Sequence, residues 1–164
     1  MASTKKHAEF INAVQEAAEQ PLRQDVLLSL AGYNCRRAYL SILPLFAERM
    51  AQYDLRTVDF SVLSLLKANP NIVQKRLARA INLSPPNLAI LLDRLEERGL
   101  VIRQRNPLDK RSQTLVLTAE GMRLCTKAEK TASELEQEAT SMLTSSEREQ
   151  LLGLLQKIFL SDQQ

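Results

Sequence analysis

Residues 72–121 read IVQKRLARAINLSPPNLAILLDRLEERGLVIRQRNPLDKRSQTLVLTAEG. In this stretch a short basic helix is followed by a break at residues 82–84, and a second amphipathic helix ends at Gly99. Two short apolar runs then flank a charged tip at residues 106–111. This order of helix, turn, helix, strand, turn and strand predicts a winged helix-turn-helix, which offers a rigid helix to the major groove of a duplex and cations to its backbone.

Helical patterns extend outward from this stretch on both sides. Four Gly and six Pro among 164 residues favour long helices with few tight turns. Helices are expected over about residues 4–20, 22–52, 57–69 and 118–140, and a last one after the capping-box pair Thr144 and Glu147. We therefore predict a mainly α fold with a small β-hairpin, divided into N-terminal helices (1–56), a winged helix-turn-helix (57–118) and C-terminal helices (119–164).

The two long helices carry apolar stripes at alternating spacings of three and four residues. The first stripe is Leu28, Ala31, Cys35, Ala38, Ile42 and Leu45, and the second is Cys125, Ala128, Ala132, Leu135, Ala139 and Met142. The terminal helices are short and apolar on one side, so they cannot bury that side alone. A two-fold homodimer would cover it and would place two reading heads on one palindromic duplex site, with residues 1–56 and 119–164 forming the interface.

Positive charge is concentrated in the middle of the chain. The whole sequence has 22 Lys and Arg against 19 Asp and Glu, a net charge of +3. Residues 73–112 hold nine Lys or Arg and four Asp or Glu, a local charge of +5, so the remainder sums to −2. A basic centre between slightly acidic flanks is typical of a nucleic-acid surface.

Several other classes of protein are disfavoured. No apolar run approaches the roughly 20 residues that span a bilayer, and the basic N-terminus has no apolar stretch behind it, so we expect a cytoplasmic protein without a membrane partner. A phosphate loop, a nucleophile elbow and a spaced set of catalytic residues are all missing, which argues against an enzyme with a cofactor. His7 is the only histidine, and with two cysteines it does not form a zinc site.

The start of the second helix of the motif is where base edges would be read. Ser84 is a favourable N-cap and Pro85 a favourable first-turn residue, whereas Pro86 removes an N–H that could bind phosphate. Asn87 can pair with adenine, and the two prolines and Ala89 can contact thymine methyls, with Ile90 beside them. These residues predict an A·T-rich site. The alternative is that Asn87 is only a polar residue of the first turn.

Cations around the hairpin tip predict a wing that enters the minor groove. They are Arg103, Arg105, Lys110 and Arg111. Guanidinium groups favour the narrow, electronegative minor groove of A·T tracts, and Asp109 fits there if it orients an arginine. Lys75, Arg76 and Arg94 are candidates for contacts to the DNA backbone. A solvated charged turn, or a winged helix used only for protein contact, is the competing interpretation, and the basic tip argues against it.

Two motifs resemble the MarR family of bacterial transcription regulators. The segment LDRLEERGLVIRQRNP resembles the end of the family's recognition helix, and DKRSQTLVLTAEG resembles its DxRS-type wing followed by LTxxG. The resemblance covers nearly the whole chain, and it implies that Arg111 enters the minor groove, that Asp109 orients it and that the terminal helices form a dimer. The chain departs from the family at Ala89 and Ile90, where family members commonly have polar residues. Direct readout of bases should therefore contribute less to recognition, and readout of DNA shape should contribute more.

The same resemblance implies a repressor that a small aromatic, phenolic or carboxylate ligand releases from its operator. Candidate ligand residues are Asn34, Arg36 and Tyr39 on the first long helix and Phe60 on the next helix, although Arg36 could equally form an ion pair. The alternative is oxidant sensing through the thiol of Cys35, beside Arg36 and Arg37. Packing in the apolar core is the default expectation for both Cys35 and Cys125.

Overall fold

The computed structural model describes residues 6, 7, 10, 12, 14, 15, 18, 20–106 and 113–160. It divides into two compact units, residues 1–39 and 40–164. In the first unit the described residues before Gln20 are helical, as the pattern over 4–20 predicts, whereas Gln20 is not helical. The remaining positions of that predicted helix lie outside the described residues.

The long helix expected over residues 22–52 is interrupted, which corrects the prediction. A short helix α1 spans Asp25–Leu28, and helix α2 spans Ala31–Met50. At the break the Ser29 Oγ donates to the Val26 carbonyl at 2.7 Å, and the Asn34 Nδ2 donates to the carbonyls of Leu28 and Leu30, both at 2.8 Å. These two side chains satisfy carbonyls that helical N–H groups would otherwise bind, so the helix ends and restarts there.

The second unit contains the winged helix-turn-helix. After α2 come a 3₁₀ helix at Ala51–Tyr53, α3 at Thr57–Ala68, β1 at Ile72–Val73, α4 at Gln74–Ala80, α5 at Pro85–Glu97, β2 at Val101–Arg105, β3 at Gln113–Leu117, α6 at Ala119–Ala139 and α7 at Ser145–Leu160. The predicted hairpin is confirmed, since β2 and β3 pair antiparallel from Val101 opposite Leu117 to Arg105 opposite Gln113. The short β1 was not predicted, and it adds a third strand in the order β1-β3-β2.

One apolar core fixes α5 against the rest of this unit. Leu88, Leu92 and Leu95 lie at helical spacing on α5 and are fully buried, together with Leu77 of α4 and Leu115 of β3. Because this face of α5 is consumed by the core, the opposite face is left to solvent. The fold therefore presents one side of α5 at the surface.

The long helix α6 packs against α3 and begins where the sequence predicts. Thr118 is its N-cap, and the Thr118 Oγ1 accepts a hydrogen bond from the Gly121 N–H at 2.9 Å. Cys125, Ala128 and Leu135 of the predicted stripe are buried. Met142 is a correction to that stripe, because it follows the end of α6 and is 94% exposed.

The last helix also begins as expected. The Thr144 N–H and Oγ1 both bond to the Glu147 Oε2 at 2.8 Å, and the Glu147 N–H donates back to the Thr144 Oγ1 at 3.3 Å. This reciprocal capping box confirms the start of α7. No residue of α7 is buried, and its exposed side chains include Leu151, Leu154, Ile158 and Phe159. The helix thus carries an apolar surface that the described part of the chain leaves uncovered.

Candidate nucleic-acid interface

A tight turn places the exposed helix α5 after α4. Asn82 takes a left-handed backbone conformation with φ of 50°, and the Leu83 N–H reaches back to the Ala78 carbonyl at 3.0 Å. Ser84 is the N-cap residue in extended conformation, as predicted, and Pro85 and Pro86 occupy the first helical positions. The Ser84 side chain makes no capping hydrogen bond, because Pro86 has no N–H and the next amide is left unused.

The residues predicted to read bases lie together on the solvent side of α5. Pro85, Pro86 and Asn87 are exposed along with Ser84, and Ile90 is 69% exposed one turn further on. Ala89 is half-buried. A mostly apolar tip with one amide is the surface that this helix offers to a groove, and the individual base contacts remain predictions.

The neighbouring elements α4 and β2 carry exposed cations. Lys75 and Arg76 on α4 and Arg105 at the end of β2 are exposed. Arg79 is exposed as well and was not predicted, although its spacing from Lys75 and Arg76 places it on the adjoining surface of the same short helix. The predicted wing residues Asp109, Lys110 and Arg111 lie outside the described residues. Their assignment stays a prediction.

Arg103 is paired with acidic side chains of α5, and its contact to DNA stays a prediction. Its guanidinium pairs with the Glu96 carboxylate and, at 2.6 Å, with Asp93, and the side chain is only 18% exposed. The Arg103 backbone N–H also donates to Glu96 at 3.2 Å. Asp93 and Glu96 are three residues apart on α5 and so face β2 together. Arg103 therefore connects β2 of the wing to α5 by ion pairs. In the sequence, the acidic residues of the run DRLEE were the signal for this contact.

Arg94 is likewise held inside the protein. It pairs with Asp59 at the start of α3, whose side chain is 1% exposed and which also accepts a hydrogen bond from the Arg56 N–H at 3.0 Å. The Arg94 Nε is buried and has no hydrogen-bond partner among the described residues. This geometry gives Arg94 a structural role between α5 and α3, and its contact to the DNA backbone stays a prediction.

Arg98, at the C-cap of α5, bonds to the segment between α2 and α3. We call residues 51–56 the joint. The Arg98 guanidinium donates to the Asp54 carbonyl at 2.6 Å and to the Tyr53 carbonyl at 2.8 Å. This interaction was not predicted, because a sequence separation of more than forty residues leaves no local pattern for it.

The start of α6 explains the LTxxG motif at the base of the wing. The Thr118 Oγ1 donates to the Gly99 carbonyl at 2.6 Å, and the Thr118 N–H donates to the Leu100 carbonyl at 3.0 Å. A Cβ placed on Gly121 would lie 2.9 Å from the Leu100 carbonyl carbon and would overlap the carbonyl oxygen. Glycine is therefore required for the helix to approach this backbone so closely.

The predicted ligand residues have different surroundings in the two units. Asn34 donates its Nδ2 to two carbonyls at the break between α1 and α2, so this nitrogen is not free for a ligand. Arg36 and Tyr39 are exposed on α2. In the second unit Phe60 packs edge-on against Phe46 with ring centroids 5.8 Å apart, so it belongs to the core.

A cleft of about 500 Å³ lies beside the joint. Apolar side chains of Leu43, Phe46 and Leu55 line it, and Asp54 and Arg56 are at its polar edge. We call it the joint cleft. An apolar hollow with a cation at its rim suits an aromatic acid, and Arg56 is a candidate ligand residue that the sequence did not single out.

The two cysteines have opposite environments. Cys125 is buried as predicted, and burial, reinforced by the neighbouring Glu129 carboxylate, raises the pKa of its thiol to about 12. Cys35 is exposed in the single chain, which corrects its expected place in a buried stripe.

Glu129 beside Cys125 accepts hydrogen bonds from the Lys67 ammonium at 2.6 Å and the Ser64 hydroxyl at 2.8 Å, which connects α3 to α6. Burial opposes ionisation of Glu129, but these hydrogen bonds hold its pKa below the ordinary value.

The Cys125 thiol is expected to be unreactive in the folded protein. A thiol with a pKa of about 12 is almost entirely protonated at pH 7.5, and buried sulfur is also shielded from reagents. In a Cys35→Ser variant, a thiol-specific reagent should label no cysteine until denaturant is added. Rapid labelling of that variant under native conditions would contradict the buried position of Cys125.

Membrane and metal sites find no support within the described ranges. No described helix is long and apolar enough to cross a membrane. Among residues 20–106 and 113–160 and the few described before them, no group of three or more His, Cys, Asp or Glu side chains is placed to hold a metal ion.

Comparison with known proteins identifies the family. The model of the MarR family matches residues 55–113. Transcriptional regulator HosA of Escherichia coli O111:H- is 30% identical over 127 residues, which cover 74% of this chain and 94% of that protein. The transcriptional repressor CouR bound to a 23-mer DNA duplex is 37% identical and has a TM-score of 0.79. That alignment covers 85% of this chain and 99% of the CouR chain. CouR bound to p-coumaroyl-CoA is 35% identical with a TM-score of 0.74, at coverages of 84% and 97%. With its winged helix-turn-helix and these relatives, the chain belongs to the MarR family of DNA-binding transcription regulators.

Proposed function

We propose that this regulator is a homodimeric repressor that binds a palindromic, A·T-rich operator and leaves it when a small aromatic ligand binds. The observation that carries the proposal is the exposed tip of α5, together with the exposed cations Lys75 and Arg76 of α4 and Arg105 of β2. The similarity to a repressor solved on a DNA duplex supports the same use of this surface here. Exposed cations supply the affinity that depends on salt, and the helix tip supplies the selection of sequence.

The dimer is proposed from α7. Its exposed residues Leu151, Leu154, Ile158 and Phe159 would lose contact with water against the same helix of a second subunit. A two-fold axis makes one such surface complementary to itself. It would also place two copies of α5 on successive turns of the major groove, which is why a palindromic operator follows from the dimer.

The effector is proposed to be an aromatic carboxylic acid or its coenzyme A thioester. The solved complex of CouR with p-coumaroyl-CoA supports this ligand class at 35% identity. In this chain the joint cleft offers apolar walls for a ring, and Arg56 at its rim offers a cation for a carboxylate or phosphate. Arg36 and Tyr39, exposed on α2 in the first unit, remain candidate ligand residues on the strength of the sequence alone.

Removal of the wing arginine is the direct test of DNA binding. Arg111→Ala should weaken binding to a duplex selected by the wild-type protein roughly 10- to 100-fold, because a well-placed guanidinium contact contributes about 1–3 kcal/mol. Fluorescence anisotropy with labelled duplex measures the change. Arg123→Ala is the matched control, since Arg123 lies on α6, is 68% exposed and pairs with the neighbouring Glu120. Unchanged binding by Arg111→Ala would mean that another residue enters the groove.

The salt dependence gives a second readout of the same proposal. Wild-type affinity should fall steeply with salt concentration, and Lys75→Gln should make the slope shallower by about one because one phosphate contact is lost. An affinity that is independent of salt would contradict an interface built on exposed cations.

A thiol switch is the second candidate function, because Cys35 is exposed next to Arg36 and Arg37. Hydrogen peroxide would then release wild-type protein from DNA and leave a Cys35→Ser variant bound. Release of both proteins, or of neither, would exclude this mechanism.

A further inference from the structure

We infer that Arg98 is a positioning residue that transmits occupancy of the joint cleft to the DNA-reading helix α5. The inference rests on the effector part of the proposed function and names the side chain that connects the two sites. One end of the interaction is the C-cap of α5, and the other is the backbone of the joint.

The geometry of Arg98 suits a rigid connection. Its side chain is 25% exposed, and its two terminal nitrogens donate to the carbonyls of consecutive residues, Asp54 at 2.6 Å and Tyr53 at 2.8 Å. A planar guanidinium can hold two acceptors at a fixed angle, whereas an ammonium on a flexible chain cannot. The bond to the exposed Asp54 carboxylate is longer, at 3.6 Å, so the two carbonyls form the main contact.

The joint can respond to a ligand because of how its backbone is held. Asp54 ends the 3₁₀ helix in the left-handed region with φ of 48°, a conformation that Asp adopts more readily than most residues, and its carbonyl faces Arg98 there. The Tyr53 hydroxyl is 3.0 Å from the Thr131 Oγ1 of α6, so the joint is bonded to α6 on one side and to Arg98 on the other. Asp54 also lines the joint cleft. A ligand there would touch the residue whose carbonyl holds α5.

The other two arginines near α5 make different connections. Arg94 pairs with Asp59 of α3, and Arg103 pairs with carboxylates of α5 itself. Of these three, Arg98 is the arginine that donates directly to the backbone of the joint, whereas Arg94 reaches the joint through Asp59, which accepts from the Arg56 N–H. A shift of the joint by a fraction of a hydrogen-bond length would pull on the C-terminal end of α5 first.

A double-variant cycle tests this connection without requiring the natural effector. Ala47 lines the joint cleft, and Ala47→Phe would fill part of it and imitate an occupant. In protein with Arg98, Ala47→Phe should weaken duplex binding about fivefold or more, which is the lower end of allosteric couplings. In the Arg98→Gln protein the same change should alter binding less than about twofold, because the connection is already cut.

Arg123→Gln is the control for loss of charge, since it removes one exposed arginine outside the joint. Ala47→Phe should have its full effect in that protein. If Ala47→Phe weakens duplex binding equally in the Arg98 protein and in the Arg98→Gln protein, the inference is overturned. It is also overturned if Ala47→Phe has no effect on binding in the protein with Arg98. If Arg98→Gln does not fold, Arg98→Lys keeps the charge but replaces the two planar donor nitrogens with one ammonium, and the effect of Ala47→Phe should then be partly reduced.

The effector part of the proposal fails separately. The probes are p-coumaroyl-CoA and p-coumarate. If both fail to release wild-type protein from the duplex, the proposed ligand class is rejected. A coupled cycle in the same experiments would still support the role of Arg98. If a probe releases the protein but the effects of Ala47→Phe and Arg98→Gln on duplex binding are additive, the ligand class is supported and the positioning role of Arg98 is rejected.

Discussion

Gly121→Ala is expected to destabilise the protein more than any other single methyl addition considered. The new Cβ would overlap the Leu100 carbonyl oxygen and lie 2.9 Å from its carbon and 3.2 Å from its Cα. All three atoms are backbone, so no side chain can rotate away, and either α6 or the base of the wing must move. Overpacking of a core costs about 1–3 kcal/mol, and a backbone collision should reach at least the upper part of that range.

Thermal unfolding followed by circular dichroism measures the effect. A loss of about 3 kcal/mol would lower the Tm of a chain of this size by about 6–12 °C. Gly32→Ala and Gly153→Ala are matched controls, because a Cβ at either position meets nothing within 4 Å. Alanine is the better helix former by about 1 kcal/mol, so these two variants should be neutral or slightly more stable in a single subunit. A Gly121→Ala protein as stable as the controls would show that the approach of α6 is wrongly placed.

Arg94→Met is expected to give the second large loss of stability. The Asp59 carboxylate is 1% exposed and would keep only its hydrogen bond from the Arg56 N–H after its cation is removed. Breaking a buried ion pair by removing one partner costs about 3–5 kcal/mol, and because Arg94 is 34% exposed we expect the lower end of that range. Urea denaturation should show a lower midpoint with an unchanged slope.

The double variant Asp59→Leu with Arg94→Met separates a structural role from a DNA contact. Removing both charges should recover much of the lost stability, because no carboxylate is then left buried without a partner. If Arg94 also contacted the DNA backbone, the stable double variant would show a shallower dependence of affinity on salt. A wild-type salt slope in that protein would confine Arg94 to the interior.

Patterns of apolar residues predicted the fold well because burial imposes a period on the sequence. Leu88, Leu92 and Leu95 repeat as a buried helix face must. Both predicted strands form, at 101–105 and 113–117, but their burial does not alternate as expected, since Ile102 is exposed and Thr114 and Leu115 are buried side by side. The capping box at Thr144 was readable because its two partners are three residues apart. In each case the deciding contacts are local.

The errors arose where distant or polar partners decide the outcome. Serine and asparagine are both tolerated in helices, so Ser29 and Asn34 gave no sign that their hydrogen bonds would break the first long helix. Arg94 and Arg103 carry the charge of a DNA contact, but a sequence does not show which cations meet carboxylates of the same chain. Cys35 was placed in a buried stripe because periodicity marks an apolar face without showing what covers it.

The two prolines that begin α5 have a consequence for how the protein searches along DNA. Their rings fix two backbone φ angles, so the part of the helix that we propose to meet the base pairs is rigid before any contact forms. Binding then requires little loss of conformational entropy at this end, and matched and mismatched sites are compared by a template of constant shape. The same rings remove amide donors that could clasp a phosphate anywhere along the duplex. Together these properties favour short residence on random sequence and rapid transfer to the next site.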